Sequence, residues 1–265
     1  TGFNDPVLDR VVARALAQNL DLAGAAARVE QARARLGARE AALLPAGQAG
    51  FDAQAGRRSV QTPLGRLLNA RPGFDRTGEQ YELDVGASWD LDLFGGLRRG
   101  EQAASADYQA AGAAQAAVQL AIVSRAADTY IVIRSLQSRL AVAREQVQTQ
   151  RRLVDLVALQ YSRGIVAELQ LRQAEGALAE VEASIPALEN GLEAALNALD
   201  VLMGAEPGTW RAELEVPAAI PVPPAVTTAG GPASLIRRRP DLIAAERRLA
   251  SSNAHIGEAI ASYYP

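Results

Sequence analysis

The chain has 265 residues, with 27 basic and 30 acidic side chains for a net charge of −3, and it contains no cysteine. Without a basic stripe carrying interleaved aromatics there is no nucleic-acid footprint, and without cysteine there are no disulfides, thiolate metal sites or lipid-anchor cysteine within these residues. Aromatics are only 5% and alanine is abundant, which suits helices packed closely along their lengths better than a compact globule. No apolar run approaches the roughly 18 residues of a membrane helix, so any crossing is expected to be made by strands. No signal-peptide core follows Thr1, so a targeting segment is expected to be absent or already removed.

In chain order, residues 1–44 are expected to form a first helix, with Asp5 capping and Pro6 at the first helical position, ending at Pro45. Gly47 to Gly56 alternates with period two: Ala49, Phe51, Ala53 and Ala55 against Gln48, Asp52 and Gln54. Residues 57–78 hold Pro63, Pro72 and several glycines and arginines, and read as a long polar loop joining two antiparallel strands. The second strand is expected over residues 80–93, fourteen positions of unbroken alternation. Tyr81, Leu83, Val85, Trp89 and Leu91 fall on one face; Glu82, Asp84, Asp90 and Asp92 fall on the other. A soluble strand rarely needs more than about 5–6 residues, whereas a membrane strand needs roughly 9–11 with one lipid face and one wet face. Residues 45–96 therefore read as a membrane β-hairpin.

From Leu97 to Arg163 the chain has no proline and keeps a helical pattern; such a helix would be roughly 100 Å long. Ile122, Ala126, Thr129, Ile133, Leu136, Leu140, Ala143, Val147, Gln150, Val154, Val157 and Tyr161 follow steps of four and three without a slip. After Gly164 the pattern resumes from Leu171 to Leu202, so residues 97–203 are expected to form an antiparallel coiled-coil hairpin, kinked at Pro186. Its turn, Arg163-Gly164-Ile165-Val166, exposes an Ile-Val pair beside a glycine. That suits either close approach by a partner helix or an ordinary left-handed helix cap. Residues 204–236 are rich in proline and glycine and are expected to run extended, with little helix.

The segment 237–265 repeats the beginning. At an offset of 220, Asp21/Asp241, Leu22/Leu242, Ala25/Ala245, Arg28/Arg248, Ala34/Ala254, Gly37/Gly257, Ala41/Ala261 and Pro45/Pro265 coincide without a gap. The shared Asp-Leu start and terminal proline favour duplication over chance in alanine-rich helices. The chain is thus expected to hold one repeat and the opening helix of another.

Catalytic constellations are missing from the pattern. His255 has no histidine or cysteine neighbour and is expected at a surface or interface rather than on a metal. The acidic residues of 80–93 sit two apart on a strand, as a solvated face does. Gly95-Gly96 lacks the third glycine and the βαβ setting of a dinucleotide fingerprint, and Arg237-Arg238-Arg239 reads as the surface entry to a helix. No catalytic residue, cofactor or metal is expected.

Trp89-Asp90-Leu91-Asp92-Leu93-Phe94-Gly95 resembles the segment at the strand-to-helix junction of outer-membrane efflux proteins of the TolC/OprM family, most closely its lipoprotein branch. Arg238-Arg239-Pro240-Asp241-Leu242, then Asn253-Ala254, Ile256-Gly257 and Tyr264-Pro265, resembles the start of that family's second repeat. Phe3, Asp5-Pro6 and Leu8 are similar to its opening, and Leu202-Met203-Gly204 to its helix end. The resemblance implies a mainly α protein with a membrane β-hairpin: long coiled-coil helices forming a periplasmic tunnel, plus strands of a trimeric twelve-stranded β-barrel. It further implies a homotrimer in outer-membrane lipid that docks onto a periplasmic adaptor and an inner-membrane efflux pump and exports drugs or other small molecules. Asp52, Gln54, Glu82, Asp84, Asp90 and Asp92 would then face the pore, and Phe51, Tyr81, Leu83, Val85, Trp89 and Leu91 the lipid. Arg163, Gly164, Ile165 and Val166 would form the adaptor-contact tip, at the far end of the hairpin from the strands. Three departures stand out: most of the second repeat is absent, the branch's lipidated cysteine would precede Thr1, and Gln170 occupies a position near the tip that is often acidic. A periplasmic adaptor or other coiled-coil interaction protein is the alternative, but neither accounts for a fourteen-residue lipid-type strand.

Overall fold

The computed structural model describes residues 2–223 and 231–264. Expectations for residues 1, 224–230 and 265 lie outside the described residues. The chain divides into two compact units, one of Thr1–Gln31 with Gln109–Glu246, the other of Ala32–Tyr108 with Arg247–Pro265.

In the first unit, helix α1 (Pro6–Gln18) starts at Asp5, whose Oδ1 accepts the Val7 and Leu8 N–H groups at 2.8 and 3.1 Å. The chain does not continue as one helix to Leu44. It breaks at Asn19, and α2 (Leu20–Ala41) begins anew. Asn19 is buried; its Oδ1 accepts the Leu22 N–H at 3.1 Å while its Nδ2 donates to the Leu202 carbonyl at 2.9 Å. One amide thus caps the start of α2 and satisfies a terminal carbonyl of another helix.

Helix α4 (Gly96–Ser162, 67 residues) and helix α5 (Glu168–Leu202) form the hairpin. Arg144 pairs with Glu189 at 2.9 Å and Arg151 with Glu182 at 2.7 Å: seven residues forward on α4 match seven back on α5, the register of an antiparallel coiled coil. Ile122, Ala126, Ile133, Leu140, Ala143 and Val147 of the heptad stripe are buried, whereas Tyr161 at its end is exposed. Pro186 lies inside α5 without ending it. The core gathers Leu8, Val11, Val12 and Ala15 of α1 with Ile122, Ala126, Tyr130 and Ile133 of α4 and Leu196, Leu199 and Met203 at the end of α5. Truncating one such fully buried leucine to alanine costs about 2–5 kcal/mol. The segment after Leu202 holds more helix than its composition implies, with α6 (Arg211–Leu214) and α7 (Pro232–Arg237).

One expectation from composition is corrected. Helix α4 contains a stretch with mean hydropathy 1.4, long and apolar enough by composition to cross a membrane. Alanine raises that average, while Gln119, Arg125 and Asp128 interrupt the helix's apolar runs.

In the second unit, strands β1 (Ala46–Arg57) and β2 (Thr77–Ser88) form an antiparallel pair joined through a short helix, α3 (Pro63–Asn69), where a plain loop was expected. Helix α8 (Pro240–Ala261) has the bounds of α2 shifted by 220, both being 22 residues long. Small residues let the helices of this unit approach closely. A Cβ at Gly100 would lie 3.1 Å from a Glu258 carboxylate oxygen, and one at Gly257 would lie 3.0 Å from the Arg99 side chain. Arg39 ion-pairs with Glu258 at 3.3 Å across the same packing.

Gly204 closes α5 with φ +67°, its N–H donating to the Val201 carbonyl and the Ala205 N–H reaching back to the Asp200 carbonyl, a Schellman cap. A Cβ there would also collide with the Gln18 carbonyl oxygen. Gly204→Ala should therefore lower stability by about 2 kcal/mol or more. Gly24→Ala, in α2 with nothing within 4 Å of its Cβ, should be neutral or gain about 0.5–1 kcal/mol. Urea midpoints of the purified variants check this; equal losses at both glycines would contradict the packing at Gly204.

Candidate functional site

The β-hairpin is the first part of the site. Twelve residues at about 3.4 Å each give strands roughly 40 Å long. In register, Asp52 lies opposite Glu82, Gln54 opposite Gln80 and Gly50 opposite Asp84, with Gln48 on the same face. The other face pairs Phe51 with Leu83, Ala53 with Tyr81 and Ala49 with Val85. The hairpin is thus two-faced, one side acidic and amide, the other apolar. Both sides are open: Phe51 is 70% exposed, Tyr81 66%, Leu83 74% and Val85 81%. Among the described residues β1 pairs only with β2, so each strand also has an unpaired edge. A two-stranded hairpin in that state is marginal in water, and opposed carboxylates such as Asp52 and Glu82 destabilise it further.

Residues 89–93 do not continue β2, which ends at Ser88. The Leu93 N–H turns back to the Leu91 carbonyl at 2.8 Å, breaking the ladder. The assignments of Trp89 and Leu91 to the apolar strand face, and of Asp90 and Asp92 to the wet one, are corrected accordingly. Trp89 is 58% exposed and donates its indole N–H to the Leu43 carbonyl at 3.1 Å. Asp90 and Leu91 lie exposed outside the ladder. Asp92 is an anchor: its carboxylate accepts the Leu97 and Arg98 N–H groups at 3.1 and 3.0 Å and the Arg98 Nε at 3.0 Å. Arg98 Nη2 returns a bond to the Asp92 carbonyl. Four residues before α4, this carboxylate satisfies orphan donors of the helix's first turn. Burial pushes its pKa up, but the Arg98 and Leu97 hydrogen bonds and the guanidinium charge prevail and hold it below the ordinary carboxylate value. Phe94 stacks on Tyr264 with ring centroids 5.0 Å apart, and Gly95 turns the chain into the helix at φ +79°.

The second part is the turn between α4 and α5. The Ile165 N–H bonds to the Gln160 carbonyl at 3.0 Å and the Gly164 N–H to the Tyr161 carbonyl at 2.9 Å, with Gly164 at φ +72°. This is a Schellman cap, so the structural role of Gly164 is present. A Cβ on Gly164 would meet nothing within 4 Å, and Arg163 and Ile165 are exposed, Ile165 at 67%; Val166 is half-buried.

The sequence pattern missed a buried polar strap. Tyr130, Arg134 and Gln137, at steps of four and three, share one face of α4 beside the heptad stripe. Tyr130 donates its hydroxyl to Asp5 Oδ2 at 2.7 Å, and the Arg134 guanidinium lies 4.9 Å from the Tyr130 ring centre. Arg134 Nη1 donates to Gln137 Oε1 at 2.8 Å and to the Val216 carbonyl at 2.6 Å, while Gln137 Nε2 donates to the Leu214 carbonyl at 2.7 Å. Asp200, also buried, accepts the Gly208 and Trp210 N–H groups. These side chains tie the segment after α5 to α4. Among the described residues no cluster of acidic, histidine or cysteine side chains could hold a metal.

The model of the family described as outer membrane efflux protein matches residues 11–205. The chain belongs to that family. The toluene efflux pump outer membrane protein TtgF of Pseudomonas putida strain DOT-T1E is 32% identical over 263 residues, 99% of this chain and 53% of TtgF. The probable outer membrane lipoprotein SilC of Salmonella typhimurium is 30% identical over 269 residues, 99% of this chain and 54% of SilC. The solved outer-membrane channel OprN, 31% identical, superposes with a TM-score of 0.84, covering 99% of this chain and 57% of OprN. The chain thus spans about half the length of the curated relatives it matches. The long helices and two-stranded hairpin of this chain are thus the fold of the matching part of the OprN channel.

Asp92→Ala should remove the anchor of α4 and cost about 1–2 kcal/mol at neutral pH. Because the folded-state pKa is depressed, that contribution is fully present above the unfolded value of 3.8 and is lost as pH falls through the lower folded value. Thermal unfolding of wild type and variant should therefore converge in acid below about pH 3.8; a constant gap down to pH 2 would contradict the assignment.

Proposed function

We propose that this chain is part of an outer-membrane efflux channel, a passive conduit through which drugs or other small molecules leave the cell. The observation that carries the reading is the two-faced hairpin of membrane length, open on both faces and both edges, leading into a helix of 67 residues. In a closed barrel the open edges would pair and Phe51, Tyr81, Leu83 and Val85 would meet lipid. Gln48, Asp52, Gln54, Glu82 and Asp84 would line water, where opposed carboxylates are tolerated and favour cations. Trp89 and Tyr264, the latter stacked on Phe94, suit the membrane–water interface, where aromatic rings with one polar end collect.

The protein acts in this reading as a homotrimer, because closing a barrel from few strands per chain needs copies. It performs no chemistry of its own; an inner-membrane pump supplies the energy, and a periplasmic adaptor joins pump to channel. The exposed turn Arg163–Val166, with Ile165 open to solvent, serves as the adaptor contact. The alternative reading as an adaptor is weaker, since adaptors flank their helical hairpin with lipoyl-like and soluble β-barrel segments, and a hairpin apolar on one open face has no place there.

Two experiments test the reading in a full-length channel containing this chain. Leu83→Arg should impair membrane assembly by about 2–4 kcal/mol near the bilayer midplane. Glu82→Lys should assemble normally and shift ion selectivity towards anions in planar bilayers. Equal effects on assembly from the two faces would sink the barrel assignment. Ile165→Arg should abolish export in cells while leaving trimer and membrane insertion unchanged; if export persists, the turn does not contact the adaptor.

A further inference from the structure

The segment between the strands carries a charge the rest of the hairpin lacks. Residues 57–76 contain five arginines, Arg57, Arg58, Arg66, Arg71 and Arg76, and one acid, Asp75, in a chain of net charge −3. The Asp75 carboxylate is engaged by the Thr77 N–H at 2.9 Å. None of the five arginines ion-pairs with a carboxylate among the described residues, and all but Arg76 are exposed. An unpaired basic cluster of this density beside an acidic strand face is not needed for folding.

The segment is nevertheless built. Its mouth is closed by the Arg58 N–H on the Arg76 carbonyl at 2.8 Å. Helix α3 is capped by Thr62, whose Oγ1 accepts the Gly65 N–H at 3.0 Å, and Gly65 is buried so tightly that a Cβ would collide with the Ser59 carbonyl oxygen. Pinned in this way, α3 holds Leu64 and Leu67 outward, 66% and 74% exposed, with Arg66 between them. Exposed leucines interleaved with unpaired arginines are the composition of a surface that lies on an anionic lipid interface, the leucines dipping into it and the guanidiniums on its phosphates.

We propose that residues 57–76 dock on the phosphorylated glycolipid of the outer leaflet, with Arg57, Arg58, Arg66 and Arg71 on its phosphates and Leu64 and Leu67 against its acyl chains. This rests on the channel reading: β1 and β2 join the helices at one end, so the segment at the other end emerges on the external face. Charge complementarity chooses the ligand, since guanidinium pairs bind phosphate dianions in bidentate fashion and a zwitterionic lipid offers no net charge.

The test uses a full-length channel containing this chain, purified in mild detergent and mixed with bisphosphorylated lipid A, with retained lipid counted by native mass spectrometry. The unchanged protein should retain lipid A and not phosphatidylethanolamine. Dephosphorylated lipid A, or the triple variant R58Q/R66Q/R71Q, should each lower retention at least tenfold; Leu64→Ser with Leu67→Ser should lower it as well. Equal retention by the triple variant or of the dephosphorylated lipid would overturn the proposal. So would disulfide cross-linking between copies of a Leu67→Cys variant with no lipid dependence, which would make the surface a self-contact. Planar-bilayer currents are recorded on the same samples. Currents with unaltered lipid A retention in the triple variant sink this inference alone; no currents from the unchanged protein sink the channel reading and this inference with it.

Discussion

A backbone N–H or C=O placed in hydrocarbon without a partner costs several kcal/mol, and that constraint governs how β1 and β2 can exist. Within the described residues each strand has one partner and one bare edge, and neither face is covered. In water such a hairpin would fray or aggregate through its edges. In a closed barrel each edge finds another strand, the apolar face finds lipid and the acidic face finds water. In the proposed channel, the helices beside the hairpin would deliver both strands to that environment in fixed register.

The delivery depends on rigid ends. Asp92 and Arg98 lock the first turn of α4 to the chain leaving β2, and Trp89 bonds back to the chain entering β1 through Leu43. Gly100 and Gly257 leave room for the long side chains of Arg39, Glu258 and Arg99 to lie flat between the helices of that unit, and the Arg39–Glu258 ion pair spans the same packing. In the other unit, an apolar core of α1, α4 and α5 provides the stability. The Asp5–Tyr130–Arg134–Gln137 strap fixes the path of the chain after α5. Burying Arg134 is costly; its Nη1 offsets part of that cost by donating to the Leu214 and Val216 carbonyls, while its buried Nε finds no partner among the described residues. The same two contacts pin an otherwise irregular segment to α4.

Much of this was readable in the residues. The heptad stripe from Ile122 to Val147 named buried positions of α4, and period-two alternation separated Asp52, Glu82 and Asp84 from Phe51, Leu83 and Val85. Family membership was readable too, from the Trp89–Gly95 segment and the 220-residue repeat. Alternation failed at residues 89–93 because it records which way side chains point, not whether the backbone is in a ladder. Asp92 alternates correctly yet caps a helix. Asn19 was overlooked because its neighbours continue the helical pattern on both sides, so a break costs the pattern nothing. Arg134 and Gln137 lie beside the stripe rather than on it, where polarity reads as solvent exposure. Helix α3 was hidden by prolines and glycines, although Thr62-Pro63 is a helix-start signal.

The central claim is that β2 runs between lipid and water. Spin labels placed singly from residue 79 to residue 92 of a full-length channel in lipid vesicles measure it directly. Collision with oxygen, which concentrates in lipid, should be high at 81, 83 and 85. Collision with a water-soluble nickel chelate should be high at 80, 82 and 84. The alternation should stop after Ser88. Uniform access of the nickel chelate along the whole stretch, with no period of two, would contradict the account.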